Sequence, residues 1–274
     1  MKNEITMTGL NTDTKLYCIF GNPVGHSKSP LVHNACFQKY QHNAVYLAFE
    51  IDNIKKGIEA IRTLNMQGAS ITIPFKEKIM PYLDEINNDA RKIGAVNTVV
   101  NNNGILKGYN TDLNAAVLPL KHFGIEDKKV YLIGAGGAAR AISHGIIKQK
   151  GKLIVVNRNR TRGENLASAN SAEFMSYDDL QNMPSLEADI LINTTSVGMV
   201  PDIQHSPVPD RLINPEMIVM DIVYTPVDTK LLTTARKKGC HTIDGLTMFL
   251  EQASAQFKLW TTILPEINFL KQLL

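Results

Sequence analysis

A glycine-rich turn is the first group of residues whose types and spacing could do chemistry. Residues 130–133 are apolar or aromatic and lead into Gly134 and Gly136, with Ala139 at the third position of a G-x-G-x-x-A pattern. A helical pattern follows over residues 138–149. A strand, a glycine turn and a helix N-terminus together present backbone N–H groups and a positive helix end to a pyrophosphate. The pattern therefore predicts a dinucleotide-binding turn.

A run of basic residues follows the next apolar segment. Residues 153–156 are predicted to form a second strand, and residues 157–162 read Asn-Arg-Asn-Arg-Thr-Arg. An NAD site usually has Asp or Glu at this strand end to accept a bond from the ribose 2′-hydroxyl, whereas guanidinium groups bind a 2′-phosphate bidentately. The glycine turn alone is also typical of an ordinary turn between a strand and a helix, and the arginines alone are typical of a solvated surface loop. Their spacing favours NADP rather than NAD as the cofactor.

Two serines in the first half lie where ligands bind in open α/β sheets, beyond the carboxyl end of a strand. Residues 21–30 follow the first predicted strand and include Ser27 and Ser29. Each hydroxyl could donate a hydrogen bond to a substrate carboxylate. A structural interpretation of either serine alone is equally good. In that interpretation Ser29 is the N-cap of a helix with Pro30 at its first position, and Ser27 is a turn residue.

Lys76 and Thr72 follow another predicted strand of the first half. Residues 71 and 73–75 are apolar, and partial desolvation among them would favour the neutral, proton-accepting form of Lys76. A solvent-exposed surface lysine is the ordinary alternative. Asn97 in a short strand and residues 110–112 at the end of another need hydrogen-bond partners, and a bound polyol would satisfy several at once.

The elements that must position these residues alternate between strands and helices from about residue 15 onward. This alternation predicts an α/β architecture with mostly parallel sheets. In the first half the predicted strands comprise residues 16–20, 44–49, 69–73, 96–100 and 105–109, the last two forming a hairpin. Asp52 is predicted to cap a helix whose Ile54, Ile58 and Ile61 share one face.

The second half is predicted to be the nucleotide-binding domain. Its predicted strands comprise residues 130–133, 153–156, 190–192, 217–223 and 240–243. Asp228 is predicted to cap a helix that ends at Gly239. The tail over residues 246–274 is predicted to be helical and amphipathic, with Pro265 opening a second helix.

Composition sets limits on the class of protein. The 274 residues suffice for one large domain or two ordinary ones, with 44% hydrophobic and 20% charged residues. A formal net charge of +3 with scattered basic residues does not indicate a nucleic-acid partner. The three cysteines, Cys18, Cys36 and Cys240, are far apart and predict neither a metal site nor redox chemistry. The sequence predicts no signal peptide and no membrane-spanning segment, so a cytoplasmic location is expected.

Several motifs together resemble one family. They comprise residues 21–23, 26–30, 72–77, 94–98, 110–112, 134–138, 193–199, 221–224 and 244–246. In this order, from about Leu16 to the end of the chain, they resemble the shikimate dehydrogenase family. The joint pattern is far more specific than the glycine turn alone.

The resemblance implies an activity and a domain layout. It implies an NADP-dependent oxidoreductase that interconverts 3-dehydroshikimate and shikimate in aromatic amino-acid (chorismate) biosynthesis. Residues 15–112 would form an α/β substrate-binding and catalytic domain, completed by C-terminal helices over residues 250–274, after an N-terminal extension of residues 1–14. Residues 113–249 would form a Rossmann-type, doubly wound NADP-binding domain.

The resemblance also implies roles for individual residues. Lys76 and Asp112 would form the catalytic pair. The substrate would be bound by Ser27, Ser29, Thr72, Lys76, Asn97, Asp112, Tyr224 and Gln252, with the two serines and Tyr224 at its carboxylate. The cofactor would be bound by Gly134, Ala135, Gly136, Gly137, Ala138, Asn157, Arg158, Arg162, Thr194, Ser196, Gly245 and Met248.

Three positions depart from the family's usual pattern. The family often has Thr where this chain has Asn159, and commonly Gly where it has Thr247. The first departure bears on the cofactor phosphate and the second on nicotinamide packing or a neighbouring polar contact. Leu113 replaces a frequent Gly after the Asn-Thr-Asp motif, and the sequence gives no reason for it.

The sequence is also compatible with two other functions. One is a quinate/shikimate dehydrogenase of broader substrate range that uses NAD, against which the arginines after residue 156 argue. The other is a nucleotide-sensing binding module that kept the fold and lost turnover, against which the presence of both Lys76 and Asp112 argues. The sequence does not distinguish a monomer from a homodimer.

Overall fold

The computed structural model of the protein describes residues 9–274. The chain divides into two compact units. The first comprises residues 9–111 together with Leu250–Leu274, and the second comprises Asp112–Phe249. Each unit contains a six-stranded sheet, so the predicted two-domain α/β fold is confirmed.

The sheet of the first unit is mixed. Its strands are β1 (Lys15–Gly21), β2 (Ala44–Glu50), β3 (Gly68–Ile71), β4 (Glu85–Ile86), β5 (Thr98–Asn102) and β6 (Ile105–Tyr109), in the order β2-β1-β3-β5-β6-β4. β1 runs parallel to β2 and β3, whereas β5 is antiparallel to both β3 and β6. The predicted hairpin is therefore confirmed as β5 and β6. The predicted third strand is shorter than expected, because it ends at Ile71.

Three helices and a short 3₁₀ helix accompany this sheet. They are α1 (Ser29–Lys39), α2 (Ile54–Thr63) and α3 (Asn88–Ile93), with the 3₁₀ helix at Met80–Tyr82. In α2, Ile54, Ile58 and Ile61 are all buried, as their spacing predicts. Cys18 is fully buried in the same core, beside the sulfur of Met66, which confirms its interpretation as a small apolar residue.

The helix caps of the first unit differ from prediction by one residue. α1 begins at Ser29 itself, and Ser29 N donates to Ser27 Oγ over 3.2 Å, so Ser29 as N-cap is wrong. Asp52 as the cap of α2 is also wrong, because the side chain of Asn53 accepts from the first-turn amides of that helix. Asp52 instead accepts a bond from Asn22 Nδ2 over 2.8 Å. The cap position of α1 is Lys28, which makes no side-chain cap bond, whereas in α2 the bond from Asn22 holds Asp52 outside the cap.

Residues 1–8 of the predicted N-terminal extension lie outside the described residues. At the end of the extension, Thr14 Oγ1 donates to Asn43 Oδ1 over 2.8 Å. Asn43 Nδ2 donates to Asn11 Oδ1 over 2.9 Å. These bonds join the segment before β1 to the residue before β2.

The sheet of the second unit is parallel throughout. Its strands are β7 (Lys129–Ile133), β8 (Lys152–Asn157), β9 (Glu173–Ser176), β10 (Ile190–Asn193), β11 (Ile218–Asp221) and β12 (His241–Ile243), in the order β12-β11-β10-β7-β8-β9. The chain runs outward from β7 to one edge and then returns to β10 on the other side. This is the doubly wound Rossmann order, with its switch point between β7 and β10. The predicted Rossmann-type architecture is confirmed.

Helices cover both faces of this parallel sheet. They are α4 (Asp112–Lys121), α5 (Gly137–Lys148), α6 (Arg160–Ala169), α7 (Tyr177–Asn182) and α8 (Lys230–Lys237), with a 3₁₀ helix at Asp210–Leu212. Along β7, Val130 and Leu132 lie in one hydrophobic cluster, whereas Tyr131 and Ile133 lie in the other. Two buried faces explain why the strands of this half are continuously apolar.

The predicted cap of α8 is wrong by one residue. Thr229 Oγ1 accepts from Leu232 N over 3.2 Å and donates to Asp221 over 2.8 Å. The neighbouring Asp228 forms an ion pair with Arg236 instead, with 2.6 Å between its Oδ1 and the arginine Nη1. The buried partner Asp221 selects Thr229 as the cap.

Two helices close the chain, α9 (Gly245–Thr261) and α10 (Ile267–Lys271). Pro265 was expected to open the last helix, but Glu266 occupies the cap position and the helix begins at Ile267. α9 is fixed to the first sheet by Trp260, whose Nε1 donates to Val99 O over 3.0 Å. A Cβ on Gly68 would lie 2.3 Å from that nitrogen, so glycine is required there. Within residues 9–274, no helix is both long and apolar enough to span a membrane.

Candidate active site

The glycine turn after β7 lies at the switch point of the parallel sheet. Gly134 has a φ of +114°, and a Cβ on it would lie 2.3 Å from Thr194 Oγ1. Both conditions restrict this position to glycine. Thr194 follows β10, and its N and Oγ1 donate to Ile133 O over 2.8 and 2.6 Å. The structure therefore brings together two residues that the resemblance assigns to cofactor binding.

Beyond the turn, the backbone is open at the start of α5. Gly136 occupies the cap position with no side-chain hydrogen bond, and a Cβ there would meet nothing within 4 Å. Gly137 and Ala138 form the first turn and are half-buried, while Ala135 is buried. First-turn N–H groups of a helix have no intrahelical acceptor and carry the positive end of the helix dipole. This turn can bind an anion such as a pyrophosphate.

The basic segment follows β8, beside the glycine turn. Arg158 and Arg162 are exposed, whereas Arg160 forms an ion pair with Glu164 over 2.9 Å and lies 5.5 Å from the ring centre of Phe174. Arg160 is therefore occupied on the flank of α6. Arg158 and Arg162 are the two guanidinium groups that the resemblance assigns to a 2′-phosphate, and both are exposed.

The two asparagines of this segment shape the start of α6. Asn159 Oδ1 accepts from Arg162 N over 3.0 Å and so caps the helix. Asn157 is half-buried, and its Nδ2 donates to Asn159 O over 2.8 Å. The departure at Asn159 thus preserves a helix cap, a function that the more usual Thr also performs.

Close backbone packing surrounds the start of α9. A Cβ on Gly245 would lie 2.4 Å from Ile222 O and 2.5 Å from Val223 O, so only glycine fits. Met248 is buried one turn later. Thr247 N and Oγ1 donate to Asp244 Oδ1 over 2.8 and 3.1 Å. The hydroxyl that a glycine would lack is therefore used to hold the helix cap.

Tyr224 and Ser196 lie on the segments that follow β11 and β10. The ring of Tyr224 stacks on Phe249, with 4.9 Å between ring centres and 28° between their planes. Burial raises the pKa of Tyr224, which keeps its hydroxyl a neutral hydrogen-bond donor. Ser196 is exposed on the segment that begins with Thr194.

In the first unit, the two candidate serines lie at the start of α1. Ser27 is half-buried and Ser29 is buried. Ser27 N donates to Val24 O over 3.0 Å, and Ser27 Oγ accepts from Ser29 N. The backbone between them is thus held in one conformation. The turn role and a role in binding a carboxylate are compatible for Ser27, since a hydroxyl both donates and accepts.

Thr72 and Lys76 follow β3. Thr72 N donates to Phe20 O over 3.0 Å, and a Cβ on Gly21 would lie 2.4 Å from Thr72 Cγ2. Lys76 is half-buried, and its carbonyl accepts from Val96 N over 2.8 Å. Of the apolar neighbours expected to shield Lys76, Phe75 is buried, whereas Ile73 is 68% exposed and Pro74 is also exposed.

The bond from Val96 joins the backbone of Lys76 to the segment that carries a buried amide, Asn97. Asn97 Oδ1 accepts from Thr111 N over 2.9 Å and from Thr98 Oγ1 over 2.7 Å. Asn97 Nδ2 donates to Thr111 Oγ1 over 2.9 Å. Both ends of the Asn97 amide are therefore held by residues next to the candidate site.

The two remaining candidates lie on helices. Asp112 follows Thr111 directly, opens α4 and is only 4% exposed. Gln252 is half-buried on α9. One turn further along, Gln256 is buried and donates from Nε2 to Asn97 O over 3.1 Å and to Thr98 Oγ1 over 2.9 Å. Sequence reasoning missed Gln256, although its spacing of four from Gln252 places both on one helix face.

Two buried polar residues of the second unit belong to the motifs of the resemblance, which implies no role for either. They are Asn193 at the end of β10 and Asp221 at the end of β11. Among the residues that the structure describes, no cluster of three or more His, Cys, Asp or Glu is arranged to hold a metal ion.

The sheet order and the glycine turn define the class of dinucleotide-binding α/β proteins. Two family models match this chain. The shikimate dehydrogenase substrate binding domain matches residues 19–99, and the shikimate/quinate 5-dehydrogenase model matches residues 118–247.

Individual relatives match nearly the whole chain. A protein of Pyrococcus abyssi named shikimate dehydrogenase (NADP(+)) is 43% identical over 259 residues, covering 94% of this chain and 96% of the relative. A crystal structure of a shikimate dehydrogenase in complex with NADP⁺ superposes with a TM-score of 0.89 at 37% identity, covering 97% of this chain and 96% of that one. The Listeria monocytogenes shikimate 5-dehydrogenase in complex with shikimate and NAD gives a TM-score of 0.87 at 34% identity, covering 98% and 99%. The chain belongs to the shikimate/quinate dehydrogenase family.

Proposed function

We propose that the protein catalyses the reversible, NADP-dependent reduction of 3-dehydroshikimate to shikimate, a step of aromatic amino-acid biosynthesis. The observation that carries this proposal is the bonded arrangement in the first unit. Val96 N binds the carbonyl of Lys76, and the next residue, Asn97, is locked to Thr111. A lysine and a buried amide are thereby placed on fixed backbone, and Asp112 follows Thr111 in the chain. The names of the relatives support the same activity.

The second unit provides residues that fit NADP. Gly136 leaves room at the start of α5, where backbone N–H groups can bind the pyrophosphate, and Gly134 allows the turn that leads into it. Arg158 and Arg162 are exposed at the end of β8, and residues 157–162 contain no carboxylate to repel a 2′-phosphate. Thr194, Ser196, Gly245 and Met248 complete the proposed cofactor residues. When bound, NADPH supplies the hydride that reduces the substrate ketone.

Lys76 is proposed to move the proton. Reduction adds hydride to the carbonyl carbon, and the carbonyl oxygen must gain a proton in the same conversion. The ammonium of Lys76 donates that proton, and in the reverse direction the neutral amine accepts it from the hydroxyl. Asp112 is proposed to orient the ammonium and stabilise its charge, which a buried carboxylate does strongly because it is removed from water.

The other polar residues are proposed to hold and orient the substrate. Ser27, Ser29 and Tyr224 donate hydroxyl bonds to its carboxylate. The ring hydroxyls are bound by Thr72, Asn97, Asp112 and Gln252. Asn97 is held in place by its bonds with Thr111 and Thr98. Preorganised donors of this kind fix the ring without reorganisation at the moment of reaction.

The proposal assigns the domains and the cellular setting as well. Residues 15–112 with 250–274 bind substrate, and residues 113–249 bind NADP. A cytoplasmic location agrees with the three cysteines, which are buried and unpaired, as is usual in a reducing compartment. Sedimentation velocity at micromolar concentration would distinguish a monomer from a homodimer.

A steady-state assay at the absorbance band of reduced nicotinamide tests the proposal. Shikimate with NADP should give the highest kcat/KM, and replacing shikimate by quinate or NADP by NAD should lower it. Equal or better turnover of quinate with NAD would assign the protein to the broader dehydrogenase type. NADP binding without turnover of either substrate would assign it to a nucleotide-binding module.

A further inference from the structure

Two buried polar residues meet at the carboxyl edge of the parallel sheet of the second unit. Asn193 is the last residue of β10 and Asp221 is the last residue of β11, and the two are directly paired in the register of these strands. Both are 0% exposed. Asn193 Nδ2 donates to Asp221 Oδ1 over 2.9 Å. The loops that leave these strands therefore begin from one hydrogen-bonded pair.

Asp221 fixes the segment that follows β11. Its Oδ1 also accepts from Val223 N over 3.0 Å, and its Oδ2 accepts from Thr229 Oγ1 over 2.8 Å. Thr229 in turn caps α8. The carboxylate thus joins the first and last parts of residues 222–229, and Tyr224 lies inside that segment.

Asn193 fixes the segment that follows β10. Its Oδ1 accepts from Thr195 N over 3.0 Å and from Thr195 Oγ1 over 2.7 Å. Its Nδ2 also donates to Val197 O over 3.3 Å. The side-chain amide of Asn193 therefore fixes Thr195 and Val197. Thr194 and Ser196 alternate with these two residues along the chain.

The pair is costly to bury. Burial raises the pKa of Asp221 to about 6, although bonds from Val223, Thr229 and Asn193 act in the opposite direction. Apolar side chains at two adjacent strand ends would avoid that desolvation cost. The bonds that the pair makes all go to the two segments that follow the strands, so its benefit lies in their conformation.

We propose that Asn193 and Asp221 are positioning residues for the reaction, which together set the segment that carries Thr194 and Ser196 and the segment that carries Tyr224. Asp221 acts through Tyr224 on substrate binding, and Asn193 acts through residues 194–197 on NADP binding. The proposal rests on the proposed function, because that function gives these two segments their ligands.

Single-hydroxyl variants test each half separately. Thr195→Val removes the hydroxyl bond to Asn193 and the bond that Val197 N donates to that hydroxyl, and it should raise the KM for NADP about fivefold or more, with little change in the KM for shikimate. Thr229→Val removes the bond to Asp221 together with the side-chain cap of α8, and it should raise the KM for shikimate more than that for NADP. The opposite pattern, or no change in either constant, would overturn the proposal.

Variants of the pair itself test the geometry against the charge. Asp221→Asn keeps an oxygen for Asn193 and Val223 and places an amide against Thr229 Oγ1, which can accept, so both KM values should stay within about twofold of wild type. Asp221→Ala should raise both KM values about tenfold or more. A loss with Asp221→Asn as large as with Asp221→Ala would show that the charge, not the bonded geometry, matters.

A stability control separates positioning from general damage. Val219→Ala removes buried volume from the same strand β11 and should lower Tm while leaving both KM values unchanged. If Val219→Ala shifts the KM values as much as Asp221→Ala at a similar loss of Tm, the pair is merely structural. If Asp221→Ala does not fold, Thr195→Val and Thr229→Val decide the question.

Direct titration distinguishes failure of this proposal from failure of the proposed function. NADP binding is measured by fluorescence without substrate, for wild type, Thr195→Val and Val219→Ala. A wild type that binds NADP but does not oxidise shikimate would contradict the proposed function. Weaker NADP binding by Thr195→Val alone would still support the role of Asn193, and equal binding by all three proteins would contradict it.

Discussion

At the scale of single residues, the site depends on a few atoms whose partners are already assigned within the protein. Asn97 is an example, because its oxygen accepts from Thr111 and Thr98 and its nitrogen donates to Thr111. Arg160 is another, because its guanidinium forms an ion pair with Glu164 and packs near the ring of Phe174. The sequence does not distinguish Arg160 from Arg158 and Arg162, whereas the structure pairs Arg160 with Glu164.

Cofactor selection should follow this separation of the arginines. Arg158→Ala should raise the KM for NADP far more than that for NAD, because only NADP carries the phosphate that the guanidinium would bind. Arg160→Ala is the matched control and should leave the NADP-to-NAD preference unchanged. Equal effects of Arg158→Ala on both cofactors would mean that Arg158 contacts a part common to both.

At the scale of elements, the apolar strands were predictable and the helix caps were not. β1, β7 and β8 lie within a residue of their predicted ends, because a strand buried on both faces has a continuous apolar sequence. Caps depend on contacts elsewhere. Thr229 rather than Asp228 caps α8 because Thr229 also bonds to Asp221, which is the last residue of β11 and is paired with Asn193 of β10.

Dependence on contacts between distant parts of the chain also explains which parts of the site were not predicted. The glycine turn is local and readable, since Gly134 and Gly136 follow an apolar run. Asn193 and Asp221 are 28 positions apart and meet only because β10 and β11 pair in register. No local pattern in the sequence indicates that contact.

Two glycines of the turn should respond differently to the same substitution. Gly134→Ala should destabilise the protein and weaken NADP binding, because its Cβ would lie 2.3 Å from Thr194 Oγ1 and its φ is +114°. Gly136→Ala meets nothing within 4 Å, so it should preserve Tm and weaken only NADP binding. Thermal unfolding with and without NADP measures both effects. Equal Tm values for the two variants would contradict this explanation.

At the scale of the whole molecule, two buried titratable groups give the folding stability opposite pH dependences. The ring of His33 is buried in the first unit. Its centre lies 4.6 Å from that of Tyr46 and 5.0 Å from that of Trp260. Burial lowers the pKa of His33 to about 3, whereas burial raises the pKa of Asp221 to about 6. The neutral His33 contributes stability above pH 6.5 that is lost as the pH falls toward 3. Asp221 contributes stability below pH 3.8 that is lost as the pH rises through 6.

A variant at His33 should separate these two contributions. Between pH 6 and pH 4 the opposing slopes offset each other in the wild type. His33→Gln removes only the histidine slope, so relative to wild type it should gain about 1.4 kcal/mol of unfolding free energy for each pH unit of acidification. Urea unfolding of both proteins at pH 6, 5 and 4 measures this difference. A difference that stays constant across these pH values would show that His33 is protonated equally in the folded and unfolded states.

The most direct test of the central claim is the turnover of Lys76→Ala with shikimate and NADP. Loss of the proton-transfer group should lower kcat by about two to four orders of magnitude. Binding of NADP and shikimate, measured separately by titration, should persist because the proposed binding residues remain. Lys78→Ala, an exposed lysine on the same segment, is the control and should keep wild-type kcat. Near-normal turnover of Lys76→Ala would contradict the proposed mechanism.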